Sequence, residues 1–302
     1  MRSAPPLQLV LLPLIALLVL ASCGGTSDAS GPVLRFTAIP DADRSELEQR
    51  FGPLAEHLEA TLGIPVAYVP TNDYSASVEM FKSGDIQLAW FGGLTGVQAR
   101  AAVDGARAIA QGAIDPTFRT HVIAHDLPAG AAGDPFPADA LRGLRFAFGS
   151  RQSTSGRLMP EYFLREATGA GPEELFGEIS FTGSHDRTAE LVDRGAVDAG
   201  AVNYQVYESM LADGRISADT CRVVWTTPDY ADYNWTAHPA LDERFGEGTL
   251  ARVQEILLAL EDPTLLDALQ RPEGLIEAEN ADYAGIEMVA RKLGFLAPAA
   301  GR

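Results

Sequence analysis

Short apolar runs alternate along the chain with segments whose apolar residues recur at helical spacing, and this alternation constrains the fold more than any other feature. The run 144–148 is bounded by turn residues and is typical of a buried strand. The segment 44–62 instead places Leu47, Phe51 and Leu58 on one stripe, which predicts an amphipathic helix, kinked or broken at Pro53. The alternation as a whole predicts an α/β fold. The predicted strands are 34–39, 65–69, 86–91, 106–110, 120–125, 144–148, 179–181, 196–199 and 221–226.

Two breaks in composition divide the chain into lobes. Segment 126–137 is rich in Gly, Ala and Pro, and segment 226–239 is polar and aromatic. We therefore predict two α/β lobes. The chain passes from one lobe to the other twice, at hinge strands. The first comprises residues 33–120 and 227–302, and the second residues 121–226. Ligands of open α/β sheets bind beyond the carboxyl ends of the strands, so the cleft between the lobes is the expected site.

The beginning of the chain carries an export signal. An apolar run at residues 9–21 ends in Leu-Ala-Ser, directly before Cys23. Because a membrane-spanning helix needs roughly 20 residues, this run fits a signal peptide better. It resembles the bacterial lipobox, which implies removal of residues 1–22 and lipidation of Cys23. Residues 23–32 are predicted to form a flexible tether, so the mature protein is expected to be periplasmic or extracytoplasmic and anchored by lipid.

Composition excludes several classes of partner. The formal net charge of −18 argues against binding to nucleic acid or to anionic lipid. With Cys23 lipidated, Cys221 is left without a disulfide partner and is expected to be a small buried residue. No cofactor motif is present, since nothing matches a phosphate-binding P-loop or a dinucleotide turn.

The run Ser153-Thr154-Ser155 is the strongest candidate for a binding site. It follows a predicted strand and opens a predicted helix at 156–167. Three hydroxyls and the free N–H groups of a helix N-terminus favour an oxyanion there. One such residue suffices for a simple helix cap, and three exceed that requirement.

Further candidates stand at other strand and helix ends. Tyr74 precedes a predicted helix at 77–82 and offers a phenolic donor, with core packing as the alternative. His185, at a helix start, is a candidate anion donor. Asp198 is a candidate ligand-facing acid, with a surface or capping acid as the alternative. Phe91 ends a predicted strand before a Gly-Gly turn that permits close backbone approach.

Hydrolysis and metal binding are two alternative functions that the sequence supports only weakly. Ser155, His185 and Asp198 are the residue types of a hydrolase triad, but Ser155 lacks the preceding Gly of a nucleophile elbow. A metal site is disfavoured because no third ligand accompanies His121 and His125.

Five segments together resemble the solute-binding proteins of ABC importers for phosphonate, phosphite and related oxyanions. The resemblance covers about residues 34–293 and is carried by residues 53–59, 85–92, 153–156, 183–186 and 195–202. It implies a two-lobe periplasmic-binding-protein fold of type II, no catalysis, and permease and ATPase partners. The strings at 90–96 and 181–186 are most similar to a branch associated with selenate transport.

The resemblance also implies roles for individual residues. It assigns the oxyanion oxygens to Ser153, Thr154 and Ser155, and further ligand contacts to the residues Tyr74, His185 and Asp198. Phe91 stands where many members carry Tyr, so a hydroxyl is missing there. A carboxylate in contact with the ligand tolerates only a ligand that brings a proton or an amine, and it penalises selenate by several kcal/mol unless the carboxylate is itself protonated. Contact between Asp198 and the ligand would therefore favour a phosphorus oxyanion. If Asp198 points away from the ligand, selenate is again a candidate ligand.

The expected function is capture of a small tetrahedral oxyanion between two lobes, by a monomer that delivers it to a permease. One alternative is a binding module that feeds a sensor kinase. Another is a binder of a small organic ligand, with Tyr230, Tyr233 and Trp235 lining an entrance. The hydrolase is the least favoured alternative.

Overall fold

The computed structural model describes residues 31–130 and 134–297, and these form an α/β structure built on two sheets. The predicted signal peptide and Cys23 lie outside the described residues. The strands are β1 (Leu34–Ala38), β2 (Val66–Tyr68), β3 (Leu88–Phe91), β4 (Arg107–Gly112), β5 (Thr120–Ala124), β6 (Arg145–Phe148), β7 (Glu178–Phe181), β8 (Ala199–Asn203), β9 (Arg222–Thr226), β10 (Asn234–Ala237) and β11 (Leu275–Glu277). The helices are α1 (Arg44–Leu62), α2 (Tyr74–Lys82), α3 (Gly93–Ala102), α4 (Ala138–Leu141), α5 (Met159–Thr168), α6 (Pro172–Leu175), α7 (His185–Asp193), α8 (Tyr204–Ala212), α9 (Ala240–Phe245), α10 (Thr249–Leu258), α11 (Pro263–Ala268) and α12 (Ala284–Lys292).

Each sheet forms the centre of one lobe. The first sheet has the order β11-β4-β10-β3-β1-β2, in which β1 pairs in parallel with β2 and β3, and β10 is antiparallel to β3 and β4. The second sheet has the order β7-β6-β8-β5-β9, in which β6 pairs in parallel with β7 and β8. We call the layers around the first sheet the first lobe and those around the second sheet the second lobe.

The chain passes between the lobes in two segments that pair with each other. Phe118 and Tyr230 form an antiparallel bridge, with both backbone hydrogen bonds made. The Arg271 guanidinium and the Asp115 carboxylate form a buried ion pair beside this bridge, at 2.6 Å. This pair joins the first crossing segment to the first lobe, and removal of either partner would leave a buried charge unpaired.

The predicted α/β class is confirmed, and the structure differs from the local predictions at three places. Helix α1 is not broken at Pro53, because its apolar stripe, including Phe51 and Leu54, stays buried on both sides of the proline. The predicted strand at 196–199 lies instead at Ala199–Asn203, where all five residues are buried. Strands β10 and β11 were not predicted. Their segments are short, and pairing with β4 rather than local sequence makes them strands.

No helix in the described ranges is both long enough and apolar enough to cross a membrane.

Candidate functional site

The second lobe contributes a cluster of buried hydroxyls. Ser153, Thr154 and Ser155 follow β6 and are each at most 3% exposed. They begin a π-helical turn, Thr154–Leu158, that leads into α5. The Ser153 Oγ accepts a hydrogen bond from the Gly156 N–H at 2.9 Å. Since the first N–H groups of a helical turn have no intrahelical partner, the backbone here offers further donors.

His185 contacts this cluster from the start of α7. Its Nδ1 accepts a hydrogen bond from the Asn203 N–H at 3.2 Å, so the ring proton lies on Nε2. Nε2 is 3.4 Å from the Ser153 Oγ and 3.5 Å from the Ser155 Oγ. Burial lowers the pKa of His185, so the ring is neutral and serves as a donor. A Cβ at Gly156 would lie 2.9 Å from the ring, which explains the glycine.

The first lobe meets these hydroxyls at the start of α3. The Leu94 N–H donates to the Thr154 Oγ1 at 3.0 Å, across the cleft. The Gly93 N–H donates to the Asp232 Oδ1 at 2.8 Å. A Cβ at Gly92 would lie 3.1 Å from the Thr154 Oγ1, so the Gly-Gly turn is what permits this approach.

Asp232 is a buried carboxylate in this cluster that the sequence did not reveal. It lies in the segment that returns to the first lobe and is 1% exposed. Within the described residues its Oδ2 has no hydrogen-bond partner. Burial raises the pKa of Asp232 to about 7, although the Gly93 N–H and the Thr154 hydroxyl favour the charged form. Nothing in the local sequence distinguishes this Asp from a loop acid.

Tyr74 is the first residue of α2, capped by Asp73, and is 2% exposed. Its hydroxyl has no partner in good hydrogen-bond geometry among the described residues. Burial raises the pKa of Tyr74, with the carboxylates of Asp41 and Asp232 acting in the same direction and the nearby Ser153 hydroxyl opposing them. The structure thus brings Tyr74 to the same cluster as the serines, as a neutral donor.

A chain of hydrogen bonds joins the two lobes beside the cluster. The Tyr233 hydroxyl donates to the Asp41 Oδ2 at 2.8 Å and accepts from the Asn203 Nδ2 at 3.2 Å. The His185 N–H donates to the Asp41 carbonyl oxygen at 3.3 Å. Asp41, from the first lobe, is therefore bonded both to the segment that returns from the second lobe and to His185. Asp41, Asn203 and Tyr233 were not predicted as site residues.

Phe91 and Asp198 are not brought into the cluster. The Phe91 ring packs edge-on against Phe81 in the core of the first lobe, with ring centroids 5.5 Å apart. Asp198 precedes β8, whereas the cluster lies beyond the other end of that strand, which is about 16 Å from Asp198 at the usual rise. The Asp198 carboxylate instead binds the Arg145 guanidinium at 2.6 Å and the Arg145 N–H at 2.8 Å.

This geometry argues against the hydrolase alternative. Because the His185 Nδ1 accepts a hydrogen bond from the Asn203 N–H, Nε2 carries the ring proton and cannot accept a proton from Ser155. Asp198 does not reach the imidazole. Within the described part of the chain, no three His, Cys, Asp or Glu side chains are grouped to hold a metal ion.

The three aromatic residues proposed to line an organic-ligand entrance are buried instead. The Tyr230 hydroxyl is 2.6 Å from the Thr120 Oγ1, and the Tyr233 hydroxyl binds Asp41. Trp235 is fully buried in β10 and packs against Trp90. Packing and hydrogen bonding at the lobe junction account for all three.

Comparison with known proteins shows the family of this chain. Residues 36–283 match the family described as the periplasmic substrate-binding protein of the phosphonate ABC transporter. The chain belongs to this family. The probable phosphite-binding protein PhnD1 of an ABC transporter from Prochlorococcus marinus MIT 9301 is 40% identical over 86% of this chain and 90% of its own length. The phosphate-import protein PhnD of Mycolicibacterium smegmatis is 26% identical over 91% of this chain and 92% of its own.

A solved structure agrees as well. PhnD1 of Prochlorococcus marinus in complex with methylphosphonate superposes with a TM-score of 0.83 at 39% identity, over 87% of this chain and 99% of that one. The predicted two-lobe binding-protein fold is confirmed. The chain is thus an extracytoplasmic substrate-binding protein of an ABC importer, not an enzyme, and its partners are a small ligand and the importer's permease and ATPase subunits.

Proposed function

We propose that this protein captures a small phosphorus oxyanion that carries a proton, such as phosphite or methylphosphonate, in the cleft between its lobes. The observation that supports this most strongly is the charge balance of the cluster. Its donors are neutral hydroxyls, a neutral imidazole and backbone N–H groups, and a buried carboxylate, Asp232, faces them. No Lys or Arg within residues 31–130 and 134–297 makes a hydrogen bond to a side chain of Ser153, Thr154 or Ser155.

The charge balance supports selection by protonation state. A doubly charged ligand beside an ionised Asp232 would add uncompensated charge in a buried site, at a cost of several kcal/mol. Phosphite, phosphate and phosphonates hold a proton near neutral pH and donate it to a carboxylate, whereas sulfate and selenate do not. We therefore assign to Asp232 the ligand-facing acid role that the family resemblance implied for Asp198, and selenate is disfavoured.

In this proposal the ligand oxygens are held by Ser153, Thr154, Ser155, Tyr74 and His185. The Tyr74 hydroxyl supports the assignment because it is buried and lacks a partner within the described residues. The relatives named for phosphite binding and for phosphate import, and the complex with methylphosphonate, also support a phosphorus oxyanion.

We further propose that residues 1–22 are removed and that Cys23 carries the lipid anchor, followed by a tether at 23–32. The monomer is proposed to consist of a first lobe at residues 33–120 and 227–302, and a second lobe at residues 121–226. The test is membrane fractionation of cells that express the full chain. Cys23→Ser should move the protein from the membrane to the soluble fraction, and an unchanged distribution would contradict the anchor.

The ligand proposal is tested by calorimetry on a soluble form that begins at residue 24. The panel is phosphite, phosphate, methylphosphonate, 2-aminoethylphosphonate, sulfate and selenate. We expect tight binding of a phosphorus oxyanion and weak or no binding of sulfate and selenate, with the discrimination reduced in Asp232→Asn. Selenate binding without binding of a phosphorus oxyanion would contradict the proposal, and so would no binding of any of the six.

A further inference from the structure

A cavity of about 310 Å³ lies at the rim of the cleft between the lobes. The start of α2, with Tyr74, forms its side in the first lobe, and the loops after β6 and β7 form its side in the second lobe. Because Tyr74 also belongs to the buried cluster, the cavity adjoins the proposed oxyanion site. Ser75, Arg151 and Gly183 on its lining are exposed, so the cavity is open to solvent.

Among the residues that the structure describes, Arg151 is the only cationic one that lines this cavity. Its guanidinium lies 3.7 Å from the centroid of the Phe181 ring, which holds it by a cation–π contact. In the described ranges no carboxylate is within ion-pair distance of Arg151. Arg157 also lies near Phe181, at 5.1 Å, but its charge is matched by Glu161 at 2.6 Å. Arg151 therefore presents an unneutralised positive charge at the rim.

The acid in the same cavity is partly compensated. Asp73 caps α2, and its Oδ1 accepts a hydrogen bond from the Ala76 N–H at 2.8 Å. A carboxylate at a helix N-terminus faces the positive end of the helix dipole, which offsets part of its field. The rim thus lacks the negative charge balance of the whole chain, whose net charge is −18.

That difference matters because an anion approaching this protein is repelled. The donors of the oxyanion cluster are buried and neutral, so they attract the ligand only over short distances. A single exposed cation at the entrance raises the local concentration of anions and their rate of association.

We propose that Arg151 and this cavity form an entry subsite that captures the anionic ligand before the lobes close, so that Arg151 determines the association rate more than the dissociation rate. The proposal rests on the proposed oxyanion function. The Phe181 ring keeps the guanidinium at the rim, and the ligand then passes inward to Tyr74 and Ser153.

The test is stopped-flow measurement of phosphite and methylphosphonate binding to Arg151→Gln. At about 10 mM salt, where the Debye length is ~30 Å, we expect the association rate constant to fall about threefold to tenfold, with the dissociation rate constant unchanged. At about 1 M salt the wild type and the variant should converge. Arg151→Lys keeps the charge and should retain most of the association rate.

Arg194→Gln is the matched control, since it removes the same charge from the same lobe. Arg194 is exposed at the end of α7, about 13 Å along the helix from His185. At about 0.15 M salt, where the Debye length is ~8 Å, we expect it to change the association rate less than twofold and less than Arg151→Gln does. Equal losses in both variants, or a loss in the dissociation step alone, would overturn the proposal. If the wild type binds neither ligand, both the proposed function and the entry subsite are wrong. If the wild type binds but the two variants lose association rate equally, only the entry subsite is wrong.

Discussion

The two lobes contribute different chemistry to the cleft. The second lobe supplies the hydroxyls of residues 153–155 and the His185 Nε2–H as donors, whereas the first lobe and its returning segment supply the carboxylates of Asp41 and Asp232 beside the Tyr74 hydroxyl. Donors hold an anion whatever its protonation state. An ionised buried carboxylate accepts the anion only when the anion brings a proton. The comparison suggests that the second lobe provides most of the affinity and that the first lobe adds selectivity when the lobes close.

The same comparison separates the two sides by their response to pH. The donors are neutral over the physiological range, since burial lowers the pKa of His185. Asp232 titrates within that range, because burial raises its pKa to about 7. The first lobe should therefore dominate the pH dependence of the ligand-free protein near neutrality.

The largest effect is expected from Asp232→Asn, measured as the pH dependence of stability. Between the unfolded pKa near 3.8 and the folded pKa of about 7, the folded state holds a proton that the unfolded chain has released. The free energy of unfolding therefore falls as the pH rises through this window. Relative to the variant, wild-type protein should lose up to about 4 kcal/mol between pH 4 and pH 8, as measured by urea unfolding without ligand.

The difference between the two proteins is the informative quantity. His121 and His185 have lowered pKa values, so they stabilise the fold as the pH rises to 6.5, in both proteins alike. Their contribution cancels when the curves are subtracted. Parallel curves for wild type and Asp232→Asn would mean that Asp232 is not a buried titrating acid.

The sequence predicted the donor side of the cleft far better than the carboxylate side. Ser153, Thr154 and Ser155 are adjacent in the chain, and a helix N-terminus makes hydroxyls at that position informative on their own. Asp232 acquires its role because the returning segment brings it against Gly93, 139 residues away along the chain. No local pattern encodes that contact.

Asp198, predicted to face the ligand, lies away from the cluster for a related reason. The strand was expected at 196–199 but lies at Ala199–Asn203, so Asp198 precedes the strand instead of approaching its carboxyl end. The fold class was predictable because apolar alternation is local. Strands β10 and β11 escaped prediction because they depend on pairing with β4.

The next effect in size is expected from Thr154→Val, which acts where the two lobes touch. Valine keeps the side-chain shape but removes the hydroxyl that accepts from the Leu94 N–H and favours the charged form of Asp232. A buried donor left without a partner costs about 1–3 kcal/mol, so phosphite affinity should fall roughly tenfold to a hundredfold by calorimetry. Thr168→Val at the end of α5 is the control and should leave affinity unchanged. Equal affinity of Thr154→Val and wild type would contradict a role for this hydroxyl in closure.

A smaller effect is expected from Gly92→Ala, which tests how closely the lobes must approach. The added Cβ would lie 3.1 Å from the Thr154 Oγ1 and 3.2 Å from the Asp232 Oδ1, so one of them must shift. We expect a loss of about 1 kcal/mol in ligand binding, close to tenfold at most. Gly285→Ala in α12 has no atom within 4 Å of the new Cβ and should stabilise the protein by up to about 1 kcal/mol without changing affinity. Tighter binding by Gly92→Ala would show that the closed cleft has space for a Cβ at position 92.

The smallest effect is expected from Asp198→Asn, which tests the contrast between the carboxylates of Asp198 and Asp232. The Arg145 guanidinium lowers the pKa of Asp198, so this acid stabilises the fold at neutral pH and ceases to do so as the pH falls below its unfolded value near 3.8. That sign is opposite to the one for Asp232. Because the pair with Arg145 is partly exposed, its loss should cost less than about 1 kcal/mol in urea unfolding. Calorimetry should find oxyanion affinity and selectivity within twofold of wild type, and a change in selectivity would mean that Asp198 acts on the ligand after all.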